Sequence, residues 1–384
     1  MPRSWRHLNF FQYQAVLHAR VPRVACTAGE KTSQVEVPWA RAGSGFTQTL
    51  EAFIVALCEQ MPVLVVSQLL GVSDDRVWRV LDHAVKQARA REDYSTVRRI
   101  SADERSARRG QRYVTMFCDA DERRLLFATP GKNAATFKAF AEDLVAHGGD
   151  AKAITDVSLD LGAAYQAGAR EHCPNAVVSF DPFHVIALAN EALDQVRRAE
   201  VKQEIELKGC RWGTLKDAAN WTDKQVSQMH WLQRSGLKTA RAWRLKERLR
   251  EVFAQGTDRA AAEALLPGWI SWASRCRLAP FKRLGVTVKK HLDGILEHFR
   301  SRLNNGFAEA INGRVQAAKA RAKAYGSDAH LITISYLVCA KLKHLPKNPL
   351  APSGSTELRL RVNHTIRERA FNTSPRKNMP ALAI

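Results

Sequence analysis

A chain of 384 residues that is 45% hydrophobic can build two or three domains with real cores, which excludes a disordered polypeptide. Lys and Arg outnumber Asp and Glu by 59 to 38, and the net charge of +21 points to a polyanionic partner. A membrane surface would attract the same charge, but no apolar run approaches the roughly 18–20 residues of a spanning helix, and the opening MPRSWRHLNFF lacks the apolar stretch of a signal peptide; no membrane association and a cytoplasmic location are expected.

Residues 1–45 read as irregular, with short β-prone pieces at Ala15–Val21 and Gln34–Val37. Helices follow over 47–91. The first runs from Thr47 to Gln60, with Leu50, Phe53, Ile54 and Leu57 at helical spacing. Pro62 starts a second helix that ends at Leu70. After the turn Gly71-Val72-Ser73, Ser73 caps a third helix whose positive end suits Asp74 and Asp75. That helix buries Val77, Val80, Leu81, Ala84 and Ala88. Its other face presents Arg76, Arg79, His83 and Lys86, as the second helix of a DNA-binding helix-turn-helix would. The bland alternative is a helical hairpin with a solvated basic face.

From residue 97 to 180 strands enter. Val97–Ala102, Arg112–Phe117, Leu125–Thr129, Ala153–Ser158 and Ala176–Phe180 are β-prone, and helices are expected at Ala134–His147 and Gly162–His172. Hairpin strands followed by strands alternating with helices predict an α/β domain with a mixed sheet. Pro182–Leu207 reads as one long helix. The strand signal is lost from 208 to 300, a basic stretch with six of the nine tryptophans, which reads as an all-α insertion. Tryptophans there belong more often to a core than to a base-stacking platform, while the interleaved Lys and Arg suit phosphates. A last helix runs from Leu303 to Lys323, and a tail rich in Pro, Asn, Ser and Arg, expected to be mobile, begins at Leu345. The seven cysteines are scattered without a Cys-x-x-Cys pair, as in a reduced protein that buries them as small hydrophobes.

Three carboxylates stand at places where chemistry could be built. Asp103 and Asp160 each close a β-prone run. Glu309 lies on the last helix with Asn305, Asn312 and Gln316, away from the apolar stripe of Leu303, Phe307, Ile311 and Val315. Carboxylates from two strand ends and a helix can converge on Mg²⁺, which prefers oxygen ligands. Asp119, Asp156 and Glu104 compete for the same reading, and spacing alone does not select among them.

The segments SADERSARRGQRYVT, ITDVSLDLGAAYQAGAREHCPNAVVSFDPFHVI and LNNGFAEAINGRVQAAKARAKAYG resemble the DDE transposases of the ISL-three group of bacterial insertion sequences. The resemblance extends upstream through VPRVAC, VPWARAGSGFT and the helix-turn-helix. It implies an RNase H-like fold at residues 96–207 and 301–344, interrupted by the α-helical insertion at 208–300, behind a helix-turn-helix at 47–95. It implies Mg²⁺- or Mn²⁺-dependent strand cleavage and strand transfer on double-stranded DNA, at terminal inverted repeats and at a target, by a homodimer or larger assembly. By position, Asp103, Asp160 and Glu309 match the catalytic and metal-binding acids. Asp181 and His184 match an Asp-x-x-His of unsettled role, either part of the metal site or supporting it, and Asn305 and Asn312 flank Glu309. The basic run Arg314, Lys319, Arg321 and Lys323 would hold the DNA backbone. Such proteins usually carry two N-terminal cysteine pairs. Here residues 1–46 keep only Cys26 of such a ribbon, so a structural zinc is doubtful, and a truncated, decayed or split element is an alternative origin. A DNA-binding protein without catalysis is the competing function.

Overall fold

The computed structural model describes residues 2–25, 32–108, 112–303 and 306–351. Two compact units divide them, one built on Met1–Ala84 and one on Val85–His344.

In the first unit, β1 (Pro2–Arg6) and β2 (Val16–Arg20) form an antiparallel hairpin with Trp5 opposite Leu17, and β3 (Arg23–Ala25) pairs antiparallel with β4 (Thr32–Gln34). β1 escaped the sequence reading because Pro2, Arg3, Ser4 and Arg6 give a strand no apolar alternation to read. Trp5 is buried edge-on against Trp39, with ring centroids 5.6 Å apart. Three helices follow: α1 (Gln48–Cys58), α2 (Val63–Leu70) and α3 (Asp74–Arg89). Their limits follow from their caps. The Thr47 hydroxyl accepts the Leu50 amide, Pro62 precedes α2, and Gly71 ends it in the left-handed region at φ 64°, where glycine carries no steric penalty. Asp74 and Asp75 occupy the first turn of α3, and Val77, Val80, Leu81, Ala84 and Ala88 are all buried, as their spacing predicts.

The second unit is organised on a five-stranded mixed sheet. Its strands are β5 (Arg99–Arg108), β6 (Arg112–Asp119), β7 (Arg124–Pro130), β8 (Asp156–Leu159) and β9 (Val177–Phe180), in the spatial order β7-β6-β5-β8-β9. β5, β6 and β7 are antiparallel neighbours, whereas β8 runs parallel to β5 and β9 parallel to β8. Side chains alternate between the faces. Ala102 and its partner Phe117 join a buried cluster with α4 (Ala134–Ala146) and α5 (Ala163–His172), in which Phe117 stacks on Phe140 at 4.4 Å and meets Phe137 edge-on. The opposite face carries α13 (Gly306–Arg321) and α14 (Asp328–Cys339); Tyr336 of α14 accepts the Ala128 amide of β7 at 2.8 Å.

The remaining helices are α6 (Pro182–Glu200), α7 (Leu207–Leu215), α8 (Asp223–Arg234), α9 (Lys238–Gln255), α10 (Arg259–Arg275), α11 (Ala279–Lys290) and α12 (Leu292–Ser301). The helix expected to run unbroken to Leu207 stops at Glu200, whose carboxylate instead accepts the Lys238 and Thr239 amides and so caps α9. Residues of α9 to α12, among them Leu249, Trp269, Phe281 and Phe299, lie in the same buried cluster as Ile100, Val157 and Phe180 of the sheet. The insertion thus shares the sheet's core, except where α7, α8 and the start of α9 bury Leu207, Cys210, Met229, Leu232 and Ala240 among themselves. Of the six tryptophans there, Trp269 is fully buried and donates to the Leu245 carbonyl, while Trp212 and Trp272 are exposed. Six cysteines are described, all free and five of them buried; burial pushes the thiols of Cys58 up to about 12 and of Cys173 and Cys339 to about 11. Cys26, the tail beyond residue 351 and Asn305 lie outside the described residues.

Candidate active site

The local chain course gathers the acids. β8 pairs with β5 only over Arg99–Ser101, and its chain turns away after Leu159, so β5 runs on with an open edge. Strands that diverge in this way leave a crevice beyond their carboxyl ends, where open α/β sheets bind ligands. A cavity of about 530 Å³ lies there, lined by Asp103, Glu104, Arg105, Asp160, Asp181 and His184 from the sheet side and by Glu309, Asn312 and Gln316 from α13.

Each acid has its own support. Asp103 stands mid-strand rather than at a strand end: the charged run Asp103–Arg108, beyond the β-prone Val97–Ala102, is held in the ladder by β6, with Asp103 opposite Met116 and Glu104 opposite Thr115. One Asp103 oxygen accepts the Glu104 amide at 2.8 Å and the other accepts the Asn312 side-chain amide at 2.6 Å. Asp160 follows β8 directly and accepts the Gly162 amide at 2.8 Å, which shapes the turn into α5. Asp181 follows β9, is buried, and caps α6 by accepting the Phe183 amide at 3.1 Å. Glu309 is exposed in the first turn of α13, where the helix dipole favours an anion.

Two further ties seat α13 against β5. Lys319 donates to the Ser106 carbonyl at 3.1 Å, and Arg99 donates to the Ser301 carbonyl at 2.7 Å, just ahead of α13. Asn312, expected on the polar face beside Glu309, is instead 2% exposed, because its amide is drawn under the helix by Asp103. Its other polar atom, Oδ1, is buried with no hydrogen-bond partner among the described residues.

The field in the cavity is acidic. Burial and then the charge of Asp160 raise the pKa of Glu104, opposed by Lys132. Burial raises that of Asp181, opposed by the Phe183 amide and His184. Among the described residues no three His, Cys, Asp or Glu side chains are gathered closely enough to hold one ion. The donor set is nevertheless one that hard divalent cations take: carboxylates, an amide oxygen without a partner and few nitrogens.

Asp103, Asp160, Asp181, His184, Glu309 and Asn312, all singled out in the sequence, meet at this cavity. Glu104 was a competing candidate, and Arg105 was missed. Extending β5 to Arg108 would have found Arg105, which stands two positions from Asp103 and so on the same face. Arg314, Arg321 and Lys323 are exposed on and after α13, whereas Lys319 is half-buried on Ser106. On α3, Arg79, His83 and Lys86 are exposed, but the Arg76 guanidinium is stacked over Phe46 at 4.0 Å.

Comparison with known proteins decides the family. Residues 100–334, more than half of the chain, match a model described as a transposase of the ISL3 type, and residues 35–85 match the helix-turn-helix domain of transposase family ISL3. The chain belongs to the ISL3 family of insertion-sequence transposases. It is 32% identical to the transposase for insertion sequence element IS1557 of Mycobacterium tuberculosis, over 90% of this chain and 83% of that protein. It is 27% identical to the transposase for IS1001 of Bordetella parapertussis, over 84% of this chain and 81% of that one. Membership of this transposase family makes the protein a DNA-cutting and rejoining enzyme, and its helix-turn-helix implies DNA binding. No helix among the described residues is long and apolar enough to cross a membrane.

Proposed function

We propose that this transposase cuts and joins DNA with Asp103, Asp160 and Glu309 as its acidic catalytic set, on an RNase H-like core. The observation that carries the reading is their convergence on one cavity from β5, the end of β8 and α13, more than 200 residues apart in the chain for Asp103 and Glu309. The strand order, with three antiparallel strands flanked by two parallel ones, supports the RNase H-like assignment.

Asp103, Asp160 and Glu309 would hold Mg²⁺ or Mn²⁺. Such ions activate a water or 3′-hydroxyl and stabilise the leaving oxygen in an in-line displacement at phosphorus. The chain's own groups set the stage for this. Asn312 fixes one Asp103 oxygen, the Gly162 amide orients Asp160, and the first turn of α13 presents Glu309. Arg105, at the cavity wall, places a cation beside the substrate phosphate. Arg79, His83 and Lys86 on α3 face the element's terminal repeats, and Arg314, Arg321 and Lys323 hold the backbone next to the acids. Arg76 serves its own loop instead. Pairing two element ends calls for a dimer or larger assembly on the DNA.

Glu309→Ala is expected to lower Mg²⁺-dependent nicking of a terminal-repeat duplex on the order of 100–1,000-fold, as when a transition-state charge stabiliser is lost, with gel-shift affinity for the same duplex retained. Wild-type nicking by this variant would refute the acidic assignment. Specific gel shifts by the wild-type chain without any nicking would favour a binding protein without catalysis.

A further inference from the structure

The three strands at the centre of the site carry the same short pattern in register. Ser101-Ala-Asp103 lies on β5, Ser158-Leu-Asp160 at the end of β8 and Ser179-Phe-Asp181 at the end of β9. Ser101 pairs with Ser158, and Ser158 pairs with Ser179. All three serines are buried, with hydroxyls that find no partner among the described residues, so they mark one inward face of the sheet. Two residues further along each strand the side chain returns to that face. Asp103, Asp160 and Asp181 therefore form a row at adjacent strand positions, with Asp160 in the middle, and all three line the same cavity.

We propose that Asp181 is a fourth acidic ligand of the divalent-metal site, shared with Asp103 and Asp160; this rests on the acidic site assigned above. Asp181 is only 5% exposed and forms no ion pair among the described residues. A carboxylate buried in that state is costly unless a cation compensates it. Capping of α6 uses one oxygen, and the Asp181 amide donates to the Leu159 carbonyl at 3.3 Å, which holds the β9 end beside the β8 end. An independent observation points to a cation at the same place: Asn312 lines this cavity, and its buried Oδ1 has no hydrogen-bond partner among the described residues.

The test is Mn²⁺ binding by the full-length chain without DNA, read from the electron paramagnetic resonance of free Mn²⁺. Asp181→Asn keeps the helix-capping oxygen and the side-chain volume and removes only the charge. Its Mn²⁺ affinity is expected to fall tenfold or more, while its melting temperature in EDTA stays at or above that of the wild type. Asp181→Ser, which also caps, should bind as weakly, and it serves if the asparagine variant does not fold. If both variants bind Mn²⁺ as the wild type does while Asp103→Asn has lost it, this inference is overturned and the acidic set of the proposed function stands. If Asp103→Asn also binds normally, both fall.

Discussion

The hydrogen bond from Asn312 to Asp103 joins the helix that carries Glu309 to the strand that carries the first acid. A hydrogen bond to a charged group contributes about 1.5–3 kcal/mol. Asn312→Ala is therefore expected to lower strand cleavage on the order of 10–100-fold, with the Mg²⁺ concentration for half-maximal rate rising. A positioning role predicts that Asn312→Gln restores part of the loss; an unchanged Mg²⁺ dependence in the alanine variant would leave Asn312 a packing residue. At this scale the sequence was only partly legible. Asp103, Asp160 and Glu309 were chosen by the local motifs of a family, since nothing in their spacing set them apart from Glu104 or Asp156. Asp156 proves to have another use, as the ion-pair partner of Arg300 at 2.6 Å. The burial of Asn312 could not be read, because it depends on a partner 209 residues away.

Among elements, legibility followed local chemistry. α1, α2 and α3 carry apolar periodicity and caps within their own sequence and were placed to within two residues. β5 was cut short because its second half, Asp103–Arg108, is polar and charged where it passes the cavity. The end of α6 was misplaced because no Gly or Pro marks it; its last turn is set by the distant α9. The join between insertion and sheet is a contact no local pattern reveals. Gly294 of α12 lies so close to Phe180 of β9 that a Cβ there would come within 2.3 Å of the ring. Phe180 is buried, so moving its ring disturbs the packing around it, and Gly294→Ala should destabilise the unit by about 1–3 kcal/mol, despite the roughly 1 kcal/mol that alanine gains in helix propensity. Urea unfolding would show this, and a variant as stable as the wild type would mean that α12 can lift off the sheet. Because Phe180 directly precedes Asp181, the same substitution should also lower cleavage.

For the whole molecule, the buried His298 ties stability to pH. Burial lowers its pKa from 6.5, and its Nδ1 donates to the Leu303 carbonyl at 3.0 Å. The unfolded chain takes up a proton near pH 6.5 that the folded chain resists, so the unfolded state binds more protons and stability falls as pH drops below that value. Melting temperatures are expected to decline from pH 7 to pH 5.5 in wild type and to decline less in His298→Gln. Equal slopes in the two proteins would remove His298 as the cause. The net charge of +21 acts at the same scale: DNA affinity should fall steeply with added salt, as counterion release requires.

The separation of the acids along the chain also orders events during synthesis. The helix-turn-helix, Asp103 and Asp160 leave the ribosome well before Glu309, which follows the whole helical insertion. At the usual 5–20 residues per second, the interval from Asp160 to Glu309 is ~7–30 s. During that time the nascent polypeptide already holds its helix-turn-helix, yet it lacks Glu309, the last member of the proposed acidic set. If the proposed acidic set holds, a transposase still tethered to its message is disarmed by nothing more than the order of its codons.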